Sequence, residues 1–333
     1  MKLSPRVRTI LPICVVGLSS LLACDILDEN HYGPSSAGNG FAATHNGDFY
    51  AVNSDGAVRC FVNGNPYGIW PTDGNIWRPS EVMSTAYKPN THTETIWAHL
   101  ALGNTYQTAW DSKYNYFVQF NYDCEPVNYA ILPAPPQGHD YWVYDITVTD
   151  DGTLFVLVDD TVSGGQDSYR IFKTKDFVNW VEEVVSPSEQ ASLASSCFAP
   201  GVTEISRMAW DRGQDEIVLL ACDKHVRYDT ATLDYRGTRK IDIDIKQLYD
   251  FDVFAGASVV SYRDTSSKSR VSVVSPFGPI MDERVGHFMS DVHFTQPTIE
   301  TFSANPWGIR YWANGYDPSW NGTRIHRYRA EGS

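Results

Sequence analysis

An all-β fold of repeated four-stranded antiparallel units, a β-propeller, is what this sequence predicts, and three observations predict it. The composition favours strands and turns: 10 Trp, 19 Tyr and 15 Phe make 13% of 333 residues, beside 24 Gly and 18 Pro. Long Ala/Leu/Glu/Lys runs of the kind helices need are missing. Short stretches echo one another along the chain, and each echo follows one plan: a strand, a turn of Gly, Asp or Asn, then a strand dense in apolar residues.

The echoes define the units. QTAWDSKYNYFVQF (107–120) and RMAWDRGQDEIVLL (207–220) share Ala-Trp-Asp, a polar turn and an apolar run. YDITVTDDGTLFVLV (144–158) and YDFDVFAGASVVSY (249–262) share Tyr-Asp, an alternating strand, a turn and a second strand. FAATHNGDFYAVN (41–53) and FSANPWGIRYWAN (302–314) follow the same plan. Runs such as LFVLV (154–158) and EIVLL (216–220) fit strands buried on both faces. SYRIFKT (168–174), HVRYDT (225–230) and SRVSVVS (269–275) supply third strands. Six units are expected, starting near residues 41, 106, 143, 205, 249 and 299. The wide first gap leaves room for a seventh near 84–104, and five is a further alternative, as is a β-sandwich. Radial repetition protects sheet edges, which a chain this rich in strand formers requires. The last unit, ending at TRIHRYRA (323–330), has three strands, and residues before Phe41 are expected to supply the fourth.

The N-terminus is not part of this fold. Lys2, Arg6 and Arg8 precede Ile10 to Ala23, a stretch without charge. It is too short for a bilayer-spanning helix, which needs about 20 apolar residues, and it reads as an export signal. Leu21-Leu22-Ala23-Cys24 resembles the lipobox of bacterial lipoproteins. That resemblance implies cleavage before Cys24 and acylation of Cys24, which would anchor the chain in a lipid bilayer. Asp25 is similar to the inner-membrane retention signal of enteric lipoproteins. The alternative is an ordinary signal peptide that leaves Cys24 as a thiol. The expected organisation is a signal peptide at 1–23, a lipidated flexible tether at 24–40, and a propeller domain at 41–331.

The formal charge is −14, and losing the signal makes it three units more negative. This excludes nucleic acid as a partner and argues against docking through a basic face. Apart from Cys14 and Cys24, the cysteines are Cys60, Cys124, Cys197 and Cys222, an even number suited to disulfides in an oxidising compartment. Three pairings stay open. The spacing fits no zinc site, and no cofactor is expected. Asp242 and Asp244 in KIDIDIK alternate with isoleucines, a solvated strand face or, less simply, a calcium pair. His287, Asp291 and His293 offer transition-metal ligands, although a polar loop explains them as well.

IFKTKDFVNWVEEV (171–184) carries Asp176 and Trp180. Their spacing resembles the Ser-x-Asp edge of five-bladed glycosidases and, more loosely, the Asp-box of sialidases. Lys173-Thr-Lys-Asp departs from the box, and no Gly follows Asp176. Pro71-Thr-Asp-Gly-Asn-Ile-Trp77 is a second loose match. In the sialidases this box is structural: the Asp caps a turn between outer strands and the Trp packs between blades.

Sugar hydrolysis needs two carboxylates about 5–10 Å apart. Asp145, Asp250 and Asp252 lie on expected first strands, Asp111 and Asp211 at their ends, with Glu94, Glu204 and Glu216 as further acids. Arg170, Arg207, Arg263 and Arg310 form no recognisable triad. The densest aromatic cluster, NPWGIRYWANGYDPSW (305–320), makes Trp307, Tyr311, Trp312, Tyr316 and Trp320 the expected binding surface. The sequence therefore predicts a membrane-anchored bacterial envelope lipoprotein, periplasmic or surface-exposed, whose propeller recognises or assembles with an envelope protein or glycan. A glycoside hydrolase or sialidase-like enzyme acting on extracellular carbohydrate is the alternative.

Overall fold

A computed structural model describes residues 30–34, 41–43, 49–54, 57–62, 65–70, 77–88, 93–102, 115–121, 123–162, 168–185, 207–221, 223–295, 310–317 and 322–329. Every regular element among them is a strand. None of the described residues forms a helix long and apolar enough to cross a membrane.

The chain enters through β1 (Asn30–Pro34) and then builds six four-stranded antiparallel sheets. The first holds β2 (Phe41–Ala43), β3 (Phe49–Ser54), β4 (Ala57–Val62) and β5 (Asn65–Trp70). The second holds β6 (Trp77–Lys88), β7 (Thr93–Leu102), β8 (Asn115–Phe120) and β9 (Pro126–Ile131). The third holds β10 (His139–Val148), β11 (Leu154–Val162), β12 (Ser168–Thr174) and β13 (Val181–Val184). The fourth holds β14 (Arg207–Asp211), β15 (Glu216–Ala221), β16 (Lys224–Asp229) and β17 (Tyr235–Lys240). The fifth holds β18 (Ile245–Phe254), β19 (Ala257–Asp264), β20 (Ser269–Val274) and β21 (Ile280–Val285). In the sixth, β22 (Phe288–Thr295), β23 (Arg310–Asp317) and β24 (Gly322–Arg329) are completed by β1, which pairs with β24. The first strand of each sheet lies against that of the next, and β22 lies against β2. Repeated four-stranded meanders around inner strands are propeller architecture.

Burial follows the period of each strand. Residues 154–158 of β11 and 217–221 of β15 are buried throughout, because sheets cover both faces. Outer β13 is largely exposed. The core is a set of inter-sheet layers. Phe155, Leu157 and Tyr169 of the third sheet meet Met208, Ile217, Leu219 and Tyr228 of the fourth. Val218 and Leu220 meet Phe251, Val260 and Tyr262 of the fifth. Cys60 on β4 is bonded to Cys124 in the turn between β8 and β9, linking the first and second sheets.

Three expectations change. The unit placed near residue 106 is not a first strand: β8 is the third strand of a sheet whose inner strand is β6, and stretch 84–104 supplies parts of its first two strands. QTAWD (107–111) lies outside the described residues. The last unit begins at Phe288, so FMSDVH (288–293) is inner-strand sequence and not the polar loop expected, while His287 precedes the strand. Residues 30–34, placed within a tether by the sequence, pair with β24 as an outer strand, because main-chain pairing and not composition decides what joins a sheet.

Candidate functional site

The inner strands share a device that begins with a bulge. The strand register shifts at Tyr144 of β10, Tyr249 of β18 and Ser290 of β22, and an aspartate follows each: Asp145, Asp250 and Asp291. Asp145 accepts the Met208 N–H of the next sheet at 2.8 Å with one oxygen and the Ile146 N–H at 2.8 Å with the other. Asp250 accepts the Val292 N–H and Asp252 the Phe294 N–H, each at 2.8 Å across the following boundary. Arg207, the first residue of β14, donates to the bulge carbonyls on both sides, Tyr249 at 2.9 Å and Tyr144 at 3.2 Å. Its Nε lies 3.5 Å from Asp250. Burial pushes the Asp250 carboxyl up to about 8; Arg207 opposes the shift and Asp145 adds to it.

A cleft of about 890 Å³ opens between the third and fourth sheets, at the ends carrying the first-to-second and third-to-fourth strand turns. Trp210 and Phe155 supply its apolar lining. Lys175 donates to Asp151 at 2.7 Å, and Arg212 donates to Asp150 at 2.7 Å while stacking 5.2 Å above Trp210. Lys173 reaches across the sheets to the Thr230 carbonyl at 3.0 Å. Arg212 Nε is buried and lacks an acceptor among the described residues. Burial works to raise the Asp151 carboxyl, but bonds from Lys175, Thr149 and Thr153 hold it well below the usual range. Asp150 is raised by burial despite Arg212. The cleft thus sets cations, carboxylates and an aromatic face within one concave surface.

Asp176 and Trp180 behave as the resemblance implied. Asp176 accepts the Val178 and Asn179 N–H groups at 3.0 and 2.7 Å and caps the β12–β13 turn. Those bonds, with the Asn179 side chain, lower its carboxyl. Phe177, at a left-handed φ of 63°, and Trp180 pack on Trp97 and Phe117 of the second sheet. Asp211 fastens the fourth sheet to the fifth: its oxygens accept the N–H groups of Gly213, Gln214, Ala255 and Gly256. A side chain on Gly213 would meet the Ala255 backbone at 2.7 Å, so this approach requires glycine.

Another repeat was not legible as chemistry. Buried Asp160 accepts from His139 at 2.8 Å and from Arg170 at 2.7 Å, and Arg170 also pairs with Glu182. Asp264, Arg270 and Glu283 form the same set in the fifth sheet. Arg170 sits opposite Val158 and Val184, and Arg270 opposite Tyr262 and Val285, which is the same register. A spacing-tolerant comparison of charged positions would have found it. Ser258 and His225 meet at 2.8 Å, yet Arg239 donates to His225 Nδ1 at 3.0 Å. A guanidinium has no lone pair to accept with, so the ring proton sits on Nε2 and Ser258 receives it. That tautomer cannot deprotonate the serine.

The remaining candidates scatter. Tyr311 is fully buried among Met289, Val292 and Tyr328, so it belongs to the core and not to a binding surface; it faces the fifth sheet. Trp312 and Tyr316 lie on β23, while Trp307 and Trp320 fall outside the described residues. Cys24, Cys197, Cys222, Asp111 and Glu204 also lie outside them. Glu216 pairs with Arg227 at 3.4 Å. Asp242 and Asp244 are exposed between buried isoleucines, in the connection from β17 to β18. His287 stacks edge-on against Tyr328.

The sequence matches no family model and no curated relative. Among solved structures it is similar to a subtype N10 neuraminidase-like protein of A/little yellow-shouldered bat/Guatemala, at 9% identity and a TM-score of 0.49, covering 92% of this chain and 99% of that one. It is also similar to the Myceliophteria thermophila Cps50 (Swd1) β-propeller domain, at 12% identity and a TM-score of 0.45, covering 92% and 90%. A Bacteroides caccae protein of unknown function aligns at 10% identity and a TM-score of 0.43, covering 76% and 84%.

Proposed function

We propose that this chain is an envelope lipoprotein, anchored through acylated Cys24, whose propeller is a recognition module for a protein or glycan. The six sheets are its six blades, closed into a ring by β1; the pairing of β1 with β24 and the contact of β22 with β2 support that count. The Cys60–Cys124 bond suits an exported protein.

The observation that carries the recognition reading is the cleft between the third and fourth sheets. It joins an aromatic face to charges of both signs on rigid turns, the lining that orients a polar ligand. Capture from native membranes tests it, with acylated protein run beside Cys24→Ala and a Trp210→Ala, Lys175→Glu cleft variant. A partner retained by the wild type and lost from the cleft variant supports the reading; retention that ignores the variant removes the cleft from it.

One observation favours the enzymatic alternative. Burial, with Asp145 beside it and Arg207 opposing, pushes the Asp250 carboxyl up to about 8, the direction a general acid requires. Glycan hydrolysis abolished by Asp250→Asn, in a variant that keeps its stability, would establish that reading instead.

A further inference from the structure

In an antiparallel four-stranded unit, the outer strand starts at the end where the first strand turns into the second. Asn30 begins β1 opposite Arg327, near the close of β24, so the chain enters the sixth sheet at that end. The cleft opens at the same end of the third and fourth sheets. Neighbouring sheets keep this end in common: Asp250 and Asp252 of β18 meet Val292 and Phe294 of β22 in parallel order, and Asp211 bonds the 255–256 turn.

Two turns at this end hold apolar tips in solvent. Phe277, between β20 and β21, is 95% exposed, and Val178, between β12 and β13, is 77% exposed. Neither is a loose loop. The Phe277 turn is closed by Gly278 N–H to Ser275 O at 3.0 Å and Ser275 N–H to Pro279 O at 2.9 Å. The Val178 turn is capped by Asp176. Each turn leads into an outer strand, the position at which β1 begins in its own sheet.

We propose that this end of the propeller rests on the lipid bilayer, with Phe277 and Val178 entering the headgroup region. The inference rests on the acylation of Cys24. Six residue steps from Cys24 to Asn30 span at most about 20 Å, so the anchor keeps the start of β1 within that distance of the membrane. The acidic net charge disfavours attachment through a basic face. Apolar side chains beside the anchor supply the contact instead, as in interfacial proteins that combine an acyl chain with a second membrane signal. Lys175, with a side chain 69% exposed, stands beside the Val178 turn, paired with Asp151 at 2.7 Å. The cleft then opens toward the headgroups, and the opposite end, where Trp142 lies at the start of β10, faces water.

Hydroxyl-radical footprinting of the full acylated chain in phosphatidylethanolamine–phosphatidylglycerol vesicles tests this against the Cys24→Ala form in buffer. Phe277 labelling is expected to fall at least about fivefold in vesicles, since a side chain in the lipid interface is removed from water, while Trp142 is unchanged. Equal labelling of Phe277 in both, or protection of Trp142 in its place, overturns the orientation. The N-terminal peptide mass is read in the same digest. Acyl chains present with Phe277 still labelled sink this inference alone; an unacylated Cys24 sinks the lipoprotein reading and this one with it.

Discussion

Breaking the Cys60–Cys124 bond is the perturbation whose size the structure best defines. The bond closes a loop with a sequence separation of 64 residues. The chain-entropy relation for a loop of that length gives about 4 kcal/mol at 25 °C. The location makes the bond more than a generic cross-link. The inner strand of the first sheet, β2, has three residues, whereas β6 and β10 have 12 and 10. Among the described residues the first sheet therefore has the shortest inner strand to hold it against its neighbours. The bond ties its third strand to the neighbouring turn through a buried layer of Val58, Ile96, Ala98, Val118 and Phe120.

Urea unfolding followed by tryptophan fluorescence provides the assay, on oxidised protein, on reduced and alkylation-free wild type, and on Cys60→Ala, Cys124→Ala. Reduction leaves both sulfur atoms in the layer, so its effect isolates the cross-link. The alanine variant adds the loss of buried sulfur and is expected to be weaker still. The reduced protein should lose about 4 kcal/mol and unfold with a steeper denaturant dependence, because an open unfolded chain exposes more surface. A loss below about 1 kcal/mol with an unchanged slope would refute the chain-entropy reasoning.

Other predictions concern the inter-sheet fastenings. His225 is held neutral by burial and by Arg239 and Arg227, its pKa lowered to about 3. Unfolded histidine takes up its proton below about pH 6.5 and the folded ring does not, so stability falls with acid, by about 2 kcal/mol between pH 6.5 and 4.5. Subtracting His225→Gln from wild type over that range should recover this slope; a pH-independent difference rejects the assignment. Asp211→Asn turns an NH₂ toward backbone donors and should cost about 1–3 kcal/mol in urea, whereas Asp234→Asn on the surface should stay within about 0.5 kcal/mol. Removing residues 24–34 bares the edge of β24, so the truncated chain should melt earlier and associate on gel filtration; a stable monomer would show that β1 does not close the sixth sheet.

The fold was legible where period and turn chemistry agree. LFVLV, EIVLL and the Tyr-Asp echoes became inner and second strands because alternating or doubly buried patterns have one physical cause. The turn cap at Asp176 was legible for the same reason, since carboxylates accept the free N–H groups of a tight turn. The Ala-Trp-Asp echo misled because a tripeptide carries no register: at 209–211 it ends an inner strand, and at 109–111 it precedes a third strand. Tyr311 looked like surface because clustering of aromatics says nothing about which face a strand buries. The cleft was hidden for a deeper reason. Lys175, Asp151 and Arg212 in turns and Trp210 on β14 belong to two different sheets, and only the packing of those sheets brings them together.

That distinction decides how the acidic residues should be read. In sequence Asp145, Asp250, Asp252 and Asp211 are interchangeable candidates for acid–base chemistry. A carboxylate can serve a substrate only with oxygen lone pairs that the protein leaves open. Asp145 has each oxygen on a main-chain N–H, one in its own strand and one in the next sheet. Asp252 repeats that arrangement, and Asp211 takes four N–H groups. Hydrogen bonds of this kind favour the ionised form and fix the group, so they oppose proton donation, although at Asp211 burial outweighs them and raises the carboxyl. Asp250 accepts the Phe251 N–H as well as that of Val292, yet burial and the neighbouring Asp145 still raise its carboxyl, with Arg207 at 3.5 Å opposing the shift. Asp250→Asn therefore tests the enzymatic alternative through a raised carboxyl, and not through an oxygen left open by the protein.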